Sequence, residues 1–164
     1  MHSIRRAITF GIVVPALMLA ADVARLSAQD KDARIGTWKL NVAKSKYDPG
    51  PPPQSQTLKV EPSGKGEKVT SESVTADGKK VTTTYTANFD GKDYPLSGSA
   101  LGADKVSLKR IDARTTERID KKDGKPVVTI RRVVSADGKT MTATVKGTNA
   151  EGKPVNNVAV FEKQ

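Results

Sequence analysis

The chain has 164 residues, with 28 Lys+Arg against 18 Asp+Glu for a net charge of +10, no Cys and a single His, His2. With no thiol and no imidazole beyond position 2, it cannot assemble a Ser-His-Asp or Cys-His nucleophile, a His/Cys zinc site or a disulfide. The length is that of one domain.

Residues 1–28 read as a signal peptide. A basic start through Arg5-Arg6 leads into the apolar run Ala7–Ala21, which includes Ile12, Val13, Val14 and Leu17. That run is shorter than the ~20 residues a spanning helix needs and matches a signal core. Cleavage after Ala28 is expected, leaving a single domain over 29–164. This step removes Arg5, Arg6, Arg25 and Asp22 and leaves a net charge of +8. No Cys follows to carry a lipid anchor. The expected location is outside the cytoplasm, periplasmic or secreted, with no integral membrane segment in the mature chain.

The mature chain has only 25 Leu, Ile, Val and Phe residues but 15 Thr, and the Thr alternate with Val, Ile and Tyr. Thr favours strands, so the shortage of Leu indicates an all-β domain with a polar face rather than disorder.

Turn chemistry recurs along this domain. Asp77-Gly78-Lys79, Asp90-Gly91-Lys92, Asp123-Gly124-Lys125 and Asp137-Gly138-Lys139 are followed by Glu151-Gly152-Lys153. Gly accepts positive φ and Asp bonds its own nearby backbone, so these tripeptides close hairpins. A calcium loop needs several oxygen ligands, whereas each turn has one carboxylate followed by Lys. The turn carboxylates are expected to be exposed and to titrate near ordinary values.

Taken in order, strands are expected near 37–41, 56–61, 67–75, 81–89, 94–96, 105–111, 114–121, 127–134, 140–146 and 155–162. In 81–89, Val81, Thr83, Tyr85, Ala87 and Phe89 share one face. In 140–146, Met141, Ala143 and Val145 do the same. No helical period is evident after residue 30. Consecutive hairpins make an up-and-down antiparallel meander, and closing it removes its open edges. The predicted fold is therefore a closed barrel of 8–10 strands.

Two stretches interrupt the rhythm. Tyr47-Asp48-Pro49-Gly50-Pro51-Pro52-Pro53 is excluded from helix and central strand by its prolines, and reads as a stiff extended connection. Ser97–Ala103 is small and Gly-containing, suited to a loop at a barrel mouth.

The opening Ile35-Gly36-Thr37-Trp38 and the ending Val160-Phe161-Glu162-Lys163, with hairpins between, resemble the lipocalin and fatty-acid-binding protein superfamily. Over 35–163 the chain also looks like small exported bacterial lipocalin-like proteins. The resemblance implies Trp38 as a structural plug at the barrel floor, entered through Gly36, with Arg131 or Arg132 as the cation beside it. It also implies a ligand cavity. Fatty-acid-binding proteins carry a helix pair after the first strand and an Arg-x-Tyr clamp before the final Glu-Lys. Here residues 42–55 are polar and Pro-rich, and Ala159 and Phe161 stand at the clamp positions, where neither binds an anion.

Three functions follow. The first is a non-enzymatic barrel binding a small amphipathic or polar ligand, with Val81, Thr83, Tyr85, Ala87, Phe89, Met141, Ala143 and Val145 lining the cavity. The second is a cell-envelope structural or interaction module without a cavity, its core filled by those same residues. The third is an enzyme on a barrel scaffold. Glu72 and Glu117 lie mid-strand and are expected to face outward beside Lys or Arg. No catalytic residue, metal ligand or cofactor is assigned. The distributed positive charge suits weak attraction to anionic envelope surfaces. The six dispersed aromatics of the mature chain make no stacking platform for nucleic acid.

Overall fold

The computed structural model describes residues 32–149 and 152–164. The expected signal segment, 1–28, lies outside them. Ten strands follow in chain order: β1 (Gly36–Leu40), β2 (Ser55–Ser63), β3 (Gly66–Val74), β4 (Lys80–Asn88), β5 (Tyr94–Ser97), β6 (Lys105–Arg110), β7 (Thr115–Lys122), β8 (Lys125–Val134), β9 (Thr140–Thr148) and β10 (Pro154–Lys163). Each pairs antiparallel with its neighbours in sequence, and β1 pairs with β10 to close the sheet. The result is an all-β, up-and-down antiparallel barrel of ten strands, within the expected 8–10. The only helical element among the described residues is a 3-10 turn at Val42–Lys44.

The hairpins form as the turn tripeptides dictate. Asp123 and Gly124 both take positive φ, 50° and 75°, between the paired Lys122 and Lys125, the two-residue loop that matches strand twist. The turn at 75–79 is instead closed by Thr75 N–H to Lys79 O and Gly78 N–H to Thr75 O, both 2.9 Å, with Gly78 at φ 85°. One expectation is corrected at these turns. Asp77, Asp90 and Asp137 do not titrate near ordinary values. The Thr75 hydroxyl, the Lys92 amide and the Ser135 hydroxyl respectively hold them lower.

Before the Pro-rich stretch, Asn41 caps the 3-10 turn by accepting from Lys44 N–H, and Lys46 then bridges to Val158 of β10.

Period-two alternation sends one face of every strand inward. The lower half of the barrel is packed, with Val60, Ala87, Val106, Leu108, Val134 and Met141 buried around Trp38. Glu72, by contrast, is exposed, and Glu117 sits on the outer face across from Arg131.

Candidate functional site

Ala33, Arg34 and Ile35 pack on the core just before β1 enters the barrel. Gly36 takes φ 135° there, and a Cβ on it would stand 2.9 Å from Lys163 Cε. Trp38 is fully buried and donates its indole N–H to Arg34 O at 2.9 Å. The cation over its ring is Lys163, with Nζ 5.1 Å from the centroid. This corrects the expectation that Arg131 or Arg132 stands there. Arg131 is exposed on the outside of β8, and Arg132 points inward toward a different partner.

That partner is Glu67, which is 1% exposed inside β3. Its Oε1 accepts from Arg132 Nη2 and from the Tyr85 hydroxyl, the latter at 2.7 Å, while Arg34 Nη1 lies 3.5 Å from Oε2. Arg34 also pairs with Asp32, which Arg110 reaches at 2.5 Å. Phe89 receives Arg34 and Arg110 over its ring, at 4.6 and 5.0 Å from the centroid. Burial drives the Tyr85 phenol pKa upward, with Arg132 opposing and Glu67 reinforcing. Burial likewise raises Asp32 against the pull of Arg110 and Arg132.

Above this cluster the strands leave a cavity of about 290 Å³, near the lower limit of small-molecule sites (about 300 Å³). Its lining mixes polar and apolar groups throughout. From β2, β3 and β4 come Gln56, Ser71, Ser73 and Thr83 beside Leu58, Val69 and Val81, with Gln56 Nε2 donating to Ser71 Oγ at 2.9 Å. From β8, β9 and β10 come Ile130, Ala143, Val145, Ala159 and Phe161 beside Arg132 and Asn157. Arg118 and Asp120 of β7 bring further charge. Arg118 holds Asp120 in a two-pronged bond at 2.5 and 2.6 Å and lies 4.7 Å over the Tyr85 ring. Burial acts against the Arg118 charge, but Asp120 and Tyr85 together outweigh it and raise the pKa. Tyr47 and Pro53 of the Pro-rich connection border the cavity, as do Ser99, Ala100 and Leu101.

The eight residues expected at the ligand therefore divide. Val81, Thr83, Ala143 and Val145 border the cavity. Tyr85, Ala87, Phe89 and Met141 do not. They occupy the lower levels of the same strands, where Tyr85, Ala87 and Met141 are buried in the core and Phe89 packs against it. Glu67, Arg118 and Asp120 were not anticipated. Alternation from Val69 puts Glu67 on the inward face, but Val74 on the opposite face reads equally well as core. In β7 the one large aliphatic, Ile119, points away from Arg118 and Asp120. Arginines reach the interior from β7 and β8, while the clamp positions Ala159 and Phe161 supply an apolar wall.

Among the described residues no helix is long and apolar enough to cross a membrane. No three His, Cys, Asp or Glu side chains converge there as metal ligands. No protein-family model and no curated protein matches the chain. Among solved structures, zebrafish ileal bile acid-binding protein complexed with cholic acid is similar at 15% identity and a TM-score of 0.49, over 80% of this chain and 99% of that one.

Proposed function

We propose that the chain is an exported, non-enzymatic barrel that carries one small amphipathic ligand in its upper cavity. The observation that carries this reading is the mixed lining, in which Gln56, Ser71, Ser73 and Thr83 are set among the apolar Leu58, Val69, Val81, Ile130, Val145 and Phe161. Binding sites combine apolar walls with a few placed polar groups, and this cavity does so. The buried charges pair with one another rather than with an open reaction space, which supports binding over catalysis. Export rests on the basic start and short apolar run of residues 1–28. The net positive charge favours weak attraction to anionic envelope surfaces.

The solid lower half supports the second reading, a ligand-free envelope module. Native mass spectrometry of protein purified from its own host separates the two. A carrier retains a small molecule that leaves on denaturation, and Val145→Trp, which fills the cavity, retains none. A wild-type protein that retains nothing and takes up no added amphipath is the envelope module.

A further inference from the structure

We infer that this cavity selects an uncharged, hydroxyl-bearing amphipath and discriminates against carboxylates and other ions of the same length. The inference deepens the carrier reading and rests on it. It follows from how the charges in the cavity are already committed. Two guanidiniums border the cavity, and each is paired with a buried carboxylate. Arg118 gives Nε and Nη2 to the two oxygens of Asp120, and Arg132 gives Nη2 to Glu67. Asp120 and Glu67 are each 1% exposed, so neither carboxylate has water to fall back on if its partner is taken.

An incoming carboxylate has two ways to meet Arg118. It can displace Asp120, leaving a buried anion unpaired, which is the most unfavourable outcome for a buried ion pair. Or it can sit beside the intact pair, where repulsion from Asp120 offsets attraction to Arg118 at nearly the same separation in a poorly screened interior. A cation meets the mirror-image problem with Arg118 and Arg132.

A hydroxyl meets neither problem. It meets the guanidiniums of Arg118 and Arg132 at the cavity wall, where the buried Arg132 Nε has no hydrogen-bond partner among the described residues, and it donates or accepts at Ser71, Ser73, Thr83 or Gln56 without disturbing any ion pair. Hydroxyl and amide side chains supply both donors and acceptors, as a neutral polar group requires. The same pairing explains why the interior holds arginines without forming an anion trap.

The test is calorimetric titration of the full chain at neutral pH with three ligands of one chain length: 1-decanol, decanoate and decylammonium. The expected result is decanol binding at least tenfold more tightly than either ion. Decanoate or decylammonium binding as tightly as decanol, or more so, overturns the inference while leaving the carrier reading standing. Binding of none of the three removes the carrier reading and this inference with it. A second arm uses Asp120→Asn, which frees Arg118. That variant is expected to gain decanoate affinity by at least tenfold while decanol changes little. An unchanged decanoate affinity in the folded variant also overturns the inference.

Discussion

Tyr85 and Glu67 face each other inside the barrel, the phenol of one donating to Oε1 of the other at 2.7 Å. They come from the paired strands β4 and β3, and Glu67 opposes Ala87, one step below Tyr85 on the same inward face. This bond, with Arg132 on the same oxygen, is the lid of the solid half and the base of the hollow half. It divides the interior into a part that supplies stability and a part left open.

The first prediction concerns that division. Tyr85→Phe keeps the ring under Arg118 and removes only the hydroxyl, so it should lower stability by about 1–2 kcal/mol. Glu67→Gln leaves Arg132 without a counter-charge and should cost about 3–5 kcal/mol. Replacing both members, Glu67→Leu with Arg132→Met, should restore much of that loss, since an apolar pair of similar volume needs no partner. Urea denaturation midpoints check all three. A double variant no more stable than Glu67→Gln would show that the pair is not the cause.

The second prediction uses the contrast between two glycines. Gly138 sits at φ 69° in the β8–β9 turn, with open space where a Cβ would stand, so Gly138→Ala should cost only the backbone term, about 1 kcal/mol. Gly147 at φ 149° lies inside β9, where a Cβ would stand 2.1 Å from Val127 O. Gly147→Ala should therefore be clearly the more destabilising in the same denaturation assay. Equal losses would mean that the strand yields freely at that point.

These two glycines also show what was legible in the sequence. Gly138 lies in an Asp-Gly-Lys turn, a local signal whose conformation depends on three neighbouring residues. That is why the hairpins, the strand order and the closed barrel could be read directly. Gly147 owes its role to β8, a tertiary neighbour that no local pattern reveals. The interior charges fall in the same class. Glu67, Arg118 and Asp120 are tolerated inside only because each has a partner on the same face or across the barrel interior, and hydropathy alternation places charged residues outside by default. The cavity boundary was half legible. Val81 and Val145 belong to the expected faces, but the depth at which packing stops depends on the Tyr85–Glu67–Arg132 cluster.

The third prediction concerns Trp38. With its ring fully buried and its N–H bonded to Arg34 O, native emission should be strongly blue-shifted from that of free indole and should move red on denaturation. Trp38→Ala should cost about 3–5 kcal/mol, the range for large aromatic truncations in a core. Native emission at the wavelength of free indole would contradict the floor position.

The fourth prediction concerns alkaline pH. Burial pushes the Tyr47 phenol up to about 12, against about 10 in an unfolded chain. Between those values the folded state binds more protons than the unfolded state, so stability falls as pH rises. The Tyr47 contribution is present below about pH 10 and is lost toward pH 12. Tyr47→Phe should flatten this part of the stability–pH profile, measured by denaturant midpoint at successive pH values. An unchanged slope would place Tyr47 in solvent.

That the upper barrel holds an uncharged amphipath is tested most directly by amide chemical-shift mapping with 1-decanol. Saturable shifts are expected at Ser71, Thr83, Val145 and Ala159 around the cavity, with little change at Val60, Val134 and Met141 in the packed half. Shifts confined to the outer faces of the strands, or no saturable shifts at all, would contradict it.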